Sequence, residues 1–166
     1  MKTLMFYLLV VLGFSGFVHA GEAVSPAPNG INFPQDYKNW RVVSSSHRVD
    51  NSTLRVILGN GTAIEAARSS QTNPWPDGSV LGKLVWKDST LASWEKAVVP
   101  GEFVHVEFMI KDAAKYQDTG GWGFARWKGV QLEPYGQDPS FVYECFGCHT
   151  PVKENDYVFT HPSTIP

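Results

Sequence analysis

The feature that most limits what this chain can become is Cys145-Phe146-Gly147-Cys148-His149, a Cys-x-x-Cys-His pattern. Two thiols at this spacing can each add to one vinyl group of a single porphyrin. The His that follows then lies under the iron with an imidazole to offer. Cys145 and Cys148 are the only cysteines in the sequence, so no other thiol competes for their role. The competing reading is a structural disulfide or a thioredoxin-like redox pair. Such a redox pair belongs to a strand-then-helix unit near the start of a domain, whereas this one sits close to the C-terminus and carries an added His. One Cys-x-x-Cys without a second pair is also a poor start for a closed tetrahedral zinc site.

The other end of the chain bears on where haem attachment takes place. Lys2 precedes an apolar run from Leu4 to Val18, broken by Gly13, Ser15 and Gly16, and Val18-His19-Ala20 ends it on a small residue. Residues 1–20 read as a secretory signal peptide, cleaved near Ala20. The run falls short of the roughly 20 apolar residues a bilayer span needs, and no later segment is apolar enough to span. The expectation is an exported protein without a membrane association, periplasmic in a bacterium, where c-type haem is attached. Loss of Lys2 makes a formal charge of −2 one unit more negative. A mildly acidic chain without a basic run excludes nucleic acid as a partner. Six Trp and ten Phe suit a pocket around a large flat apolar ligand. The length after cleavage suits one domain. Residues 21–32, with Pro26, Pro28 and Gly30, read as an extended or mobile lead-in. Residues 33–166 read as the haem-binding domain.

Residue patterning favours strands with short helices between them. Phe33 to Trp40 reads as a short helix with Pro34 in its first turn. Trp40 to Ser45 and Thr53 to Leu58 read as a hairpin around Asp50-Asn51-Ser52. Thr62-Ala63-Ile64-Glu65 has the form of a capping box, starting a helix that runs to Arg68. Ser79 to Trp86 alternates as a strand, with Leu81, Lys83 and Val85 on one face. Thr90 to Val99 fits a helix through Leu91, Trp94 and Val98, or a loop. Phe103 to Ile110 is the clearest strand, with His105, Glu107 and Met109 on one face and Val104, Val106 and Phe108 on the other. Trp122 to Trp127 follows a glycine break, and Gly123 in it leaves room for a close neighbour. Asp138-Pro139 opens a helix that leads into the cysteine motif, where one helical turn puts Cys145 and His149 on a common face. The fold class expected is α+β and β-rich, an antiparallel sheet or sandwich with short helices. All-helical cytochromes are disfavoured.

With His149 below an iron, the question is what lies above it. A second strong ligand would come from Met109, His47, His105 or His161 and would make a six-coordinate electron carrier. The other option is an open iron face with polar groups poised over it. Lys83 and Glu107 sit mid-strand among apolar neighbours, where a lysine either snorkels to solvent or points at something that needs it. A buried Glu107 would act as a general base, its pKa raised by desolvation. Arg55 and Arg126 are further mid-strand charges that would hold haem propionates or a distal anion, or else pair at the surface.

Several stretches together resemble the cytochrome P-460 family, which includes the cytochrome c′-beta proteins. Glu144-Cys145-Phe146-Gly147-Cys148-His149 followed by Asp156-Tyr157-Val158-Phe159-Thr160 is similar to the family's haem-attachment end. Asp77-Gly78-Ser79-Val80 with Lys83 resembles the strand that carries a lysine cross-linked to the porphyrin edge. Val106-Glu107-Phe108-Met109-Ile110-Lys111-Asp112 resembles the strand of the catalytic distal glutamate, and Gly121-Trp122-Gly123-Phe124 the strand after it.

The resemblance implies one covalent haem c bound through Cys145, Cys148, His149 and Lys83, with His149 on the iron. It implies hydroxylamine oxidation to nitric oxide or nitrous oxide, with Glu107 and Lys83 as catalytic residues. A soluble cytochrome c would accept the electrons, and the chain would form a homodimer. Two other readings stay open. One is a non-catalytic binder of nitric oxide or carbon monoxide, with Phe103, Phe108 or Phe124 capping the iron. The other is a six-coordinate electron-transfer cytochrome.

Overall fold

Residues with strict apolar alternation make the longest strand of the chain, and the rest of the molecule is assembled on it. The computed structural model describes residues 23–164, so the signal-peptide reading lies outside the described residues. Strands β1 (Arg41–Arg48), β2 (Thr53–Gly59), β3 (Val80–Leu91), β4 (Trp94–Lys111), β5 (Trp122–Lys128) and β6 (Glu133–Pro134) form one sheet in the order β1-β2-β3-β4-β5-β6. Every neighbouring pair is antiparallel. Two short α-helices, α1 (Gly61–Arg68) and α2 (Val142–His149), and several 3-10 turns complete an α+β, β-rich fold. The architecture is a single sheet covered by chain on both sides, not a sandwich of two. Among the described residues no helix is long and apolar enough to cross a membrane.

The stretch from Thr90 to Val99 is a hairpin tip, where neither the helix nor the loop expected of it forms. Leu91 pairs with Trp94, Thr90 with Val98 and Asp88 with Pro100. The spacing of Leu91, Trp94 and Val98 fits a helical stripe, but backbone pairing between two long strands outweighs so weak a local preference. β3 runs past the end of β2, whose Thr53 pairs with Lys87, and leaves a two-stranded ribbon that exposes Leu91, Trp94 and Val98.

Helix α1 begins earlier than the capping-box reading expects. Asn60 is the N-cap, and its Oδ1 accepts from the amides of Ala63 and Val80, both at 3.0 Å. Its Nδ2 donates to the Gly78 carbonyl at 2.8 Å. One side chain thus caps the helix and ties it to the start of β3, which displaces Thr62 from the role.

Period-two alternation sends successive side chains of β4 and β5 to opposite faces. Val106, Phe108, Ala125 and Trp127 point to the back, where they meet Ala27, Ile31, Phe33 and Tyr37. Phe33 lies edge-on to Phe108 and Trp127, with ring centroids 5.6 and 5.0 Å apart. Residues 23–32 lack helix and strand, as expected of an extended lead-in, and they are packed against the sheet. Ala27 and Ile31 are 3% and 5% exposed, and the Trp127 indole donates to the Ser25 carbonyl at 2.9 Å. The front face carries Ile57, Leu81, Trp122 and Phe124, covered by α1, Trp75 and the C-terminal segment around Val158. The close neighbour of Gly123 is the Tyr116 ring, which a Cβ at that position would overlap.

Candidate functional site

Asp138 starts the approach to the cysteine motif as predicted: its carboxylate accepts from the Ser140 amide at 2.8 Å, with Pro139 in the first turn. The 3-10 turn Pro139–Phe141 runs directly into α2. On α2, Cys145 is partly buried, Cys148 is exposed and both thiols are free. Burial pushes the Cys145 thiol up to about 11. His149 closes the helix, and its Nδ1 lies 2.7 Å from the Tyr157 carbonyl. A carbonyl only accepts, so Nδ1 carries the proton and Nε2 keeps its lone pair for a metal. Burial lowers the His149 pKa, partly offset by that hydrogen bond, and favours the neutral ring that ligation requires.

The Tyr157 carbonyl is presented by an unusual turn. Asp156 and Tyr157 both have left-handed backbones, with φ of 48° and 61°. The Asp156 carboxylate accepts from the Lys111 ammonium at 2.7 and 2.9 Å and from the Trp75 amide at 2.8 Å. The Trp122 indole donates to the Asp156 carbonyl at 2.8 Å. Neither Lys111 nor Asp156 stood out in the sequence as a site residue. A lone charge at a strand end reads as surface, and the two lie 45 positions apart, so no local pattern joins them.

Facing this, register places Lys83, Glu107 and Arg126 in one row across the front of the sheet. Ile57 pairs with Lys83, Lys83 with Glu107, and Glu107 with Arg126. The next row holds Arg55, Val85 and His105, and the row on the other side holds Leu81, Met109 and Phe124. Lys83 does not snorkel away: its ammonium pairs with the Glu107 carboxylate. Arg126 Nε donates to Glu107 at 2.5 Å, and His105 Nε2 lies 3.4 Å from the same carboxylate.

These neighbours reverse the expected titration of Glu107. Burial alone raises its pKa, but the Lys83 ammonium, the Arg126 guanidinium and His105 outweigh it and hold the carboxyl at about 2. Desolvation was the only influence visible along one strand; the opposing charges arrive from β3 and β5. Burial likewise brings His105 down to about 4 and keeps it neutral. The Arg126 guanidinium also stacks over the Tyr135 ring at 4.5 Å. The Tyr135 hydroxyl in turn donates to Glu144, beside Cys145, at 2.9 Å. Arg55 differs: its Nε is buried without a partner.

The sheet row and α2 enclose a cavity of about 840 Å³, within the range of pockets that take a sizeable organic ligand. Lys83, Glu107, Arg55, Arg126, Cys145, Cys148 and His149 all line it. The residues fit a haem: a neutral imidazole with a free nitrogen, two thiols on the same helix, apolar walls and a guanidinium lacking a counter-ion.

Among the alternatives for the iron's other face, Met109, His105 and His161 line the cavity, while His47 is bound to Asp88 at 2.7 Å on the exposed side. Phe108 is committed to the back cluster and Phe103 to Trp86, at 5.8 Å between centroids. Phe124 faces the cavity but lies against the His149 ring, 5.2 Å between centroids. Phe108 and Phe124 nevertheless both line the cavity, and Phe103 does not.

The model of the family described as Cytochrome P460 matches residues 34–160 of the chain. No curated protein matches it.

Proposed function

The chain belongs to the cytochrome P460 family, and from that premise we propose that it oxidises hydroxylamine to nitric oxide or nitrous oxide at a haem c modified by Lys83. As a cytochrome it binds haem, and we infer one covalent haem in a periplasmic protein. The observation that carries it is the Lys83–Glu107 pair, in one row of the sheet, facing the cavity that also holds Cys145, Cys148 and His149.

Cys145 and Cys148 would supply the two thioether sulfurs and His149 Nε2 the iron ligand. Arg55, with its unpartnered Nε, is suited to a propionate. Arg126 holds Glu107 through Nε and also lines the cavity, where it stays suited to a propionate or a distal anion. When bound, haem supplies a Lewis-acidic iron for the hydroxylamine nitrogen and an acceptor for its electrons. Glu107 takes the protons released as the substrate nitrogen is oxidised. A carboxylate held at about 2 is a weak base. A Lys83 nitrogen held at the porphyrin edge would no longer stand as an ammonium beside Glu107. Burial would then raise the Glu107 carboxyl, opposed by Arg126 and His105 without Lys83. The cross-link and the base are thereby coupled through one ion pair.

Electrons would pass to a soluble cytochrome c. The protein would act as a homodimer, for which the exposed Leu91, Trp94 and Val98 of the overhanging ribbon offer apolar contact area.

Mass mapping of the haem peptide from the isolated holoprotein tests the assignment. The expected haem is joined to Cys145, Cys148 and Lys83, and Glu107→Gln retains all three bonds while losing hydroxylamine oxidation. A haem joined only to the cysteines, in a protein that binds nitric oxide and leaves hydroxylamine untouched, would make it a gas-binding protein instead.

A further inference from the structure

We propose that the buried Lys111–Asp156 pair is a positioning device for the iron ligand. It fixes the Tyr157 carbonyl that orients His149 and strengthens its donation. The inference rests on His149 as the ligand of the haem and not on hydroxylamine as the substrate.

The argument starts from what the pair costs. Lys111 and Asp156 have side chains only 7% and 8% exposed, and removing two charges from water is a penalty that their attraction only partly repays. Stability alone is a weak reason for such a pair. Its position offers a better one. Asp156 and Tyr157 hold successive left-handed backbones without being glycine, a conformation that persists only where the surroundings over-determine it. Here they do. Lys111 and the Trp75 amide hold the Asp156 carboxylate, the Trp122 indole holds its carbonyl, and the Tyr157 amide donates to the Val152 carbonyl at 3.1 Å. The Tyr157 ring fills the space left open above Gly120. With both sides clamped, the Tyr157 carbonyl has one direction left, and it meets His149 Nδ1 at 2.7 Å.

A metal-bound imidazole whose other nitrogen donates to a fixed acceptor is held in one tautomer and orientation and is a stronger donor. The clamp also ties the two sides of the cavity together. Lys111 lies at the end of β4, the strand that carries Glu107, so the group that fixes His149 and the carboxylate that lines the same cavity would share one rigid element.

The holoprotein tests this by resonance Raman spectroscopy and potentiometry. Lys111→Met is expected to lower and broaden the ferrous iron–imidazole stretching band and to raise the reduction potential, whereas Lys111→Arg, which keeps the pair, retains the wild-type band. A folded Lys111→Met protein with an unchanged band and potential overturns the proposal. Asp156→Asn keeps an acceptor for the Trp75 amide and is read in the same way if Lys111→Met does not fold. The unsubstituted protein provides an independent reading: the His149 Nδ1 proton should exchange slowly with deuterium, and rapid exchange overturns the proposal without any variant. A five-coordinate ferrous iron without an iron–imidazole band in the unsubstituted protein would remove His149 as the ligand, and the proposal with it, which is distinct from an intact band that ignores the pair.

Discussion

Glu107 shows how much of a residue's chemistry comes from strands it does not belong to. Along β4 it is one carboxyl between His105 and Met109, and burial is all that can be foreseen for it. Across the sheet it meets Lys83 and Arg126, and its carboxyl goes to about 2 from an ordinary 4.5. The sign follows from linkage: a carboxyl depressed on folding contributes stability above its unfolded pKa and loses it as the pH falls from about 4.5 toward 2. His105 adds an earlier loss. Its folded pKa of about 4 lies below the ordinary 6.5, so the unfolded chain takes up a proton first and stability drops between those values. Lys83→Met in the haem-free protein is expected to raise the Glu107 carboxyl above 2, read from the pH dependence of its carboxylate infrared band. An unmoved band would mean that Arg126 alone sets it. His105→Gln should flatten the fall in urea midpoint between pH 6.5 and 4 while leaving the later fall in place.

At the scale of elements, the legible parts were those in which one physical cause dominates. Alternation from Val104 to Ile110 identified β4 and assigned Val106 and Phe108 to one face and Glu107 to the other. Asp138-Pro139 identified the start of the turn before α2. The hairpin tip at Leu91 and Trp94 was not legible, because a stripe at helical spacing and an alternating ribbon share those residues and only the partner strand decides. The start of α1 was missed for a related reason: Thr62 and Glu65 satisfy a local rule, but Asn60 serves α1 and β3 at once. Replacing Asn60 by Ala should therefore cost more than an ordinary cap. The cap itself is worth about 1 kcal/mol, and the Val80 amide and Gly78 carbonyl lose partners too, at about 1 kcal/mol each. Urea unfolding of Asn60→Ala is expected to show a loss of about 2–3 kcal/mol, with Thr62→Ala within about 0.5 kcal/mol of the parent, as for a surface change.

For the whole molecule, the decisive fact is that a single sheet must be covered on both faces, and the chain covers them with its two ends. The C-terminal segment carries the haem motif to the front, and the N-terminal segment closes the back. The cysteine motif could announce the first assignment because its chemistry is local. The second depends on Ala27 and Ile31, ordinary apolar residues among prolines, finding a cluster of rings about 80 to 100 positions later. The back layer matters to the front because Glu107 and Arg126 alternate with Val106, Phe108, Ala125 and Trp127 on β4 and β5, so whatever loosens one face loosens the row on the other. A chain beginning at Phe33 tests this. It loses the burial of Ile31, about 1.5–3 kcal/mol, and the Ser25 acceptor of the Trp127 indole, about 1–3 kcal/mol. A loss of about 3–5 kcal/mol in urea unfolding is expected, a large part of the 5–15 kcal/mol that holds a typical domain together. Hydrogen exchange should rise at the amides of β5 before those of β2, since Trp127 and Phe124 carry the lost contacts. A truncated chain as stable as the parent would show the N-terminal segment to be an ornament of the fold and leave the aromatic cluster of Phe33, Tyr37, Phe108 and Trp127 as the whole of its back layer.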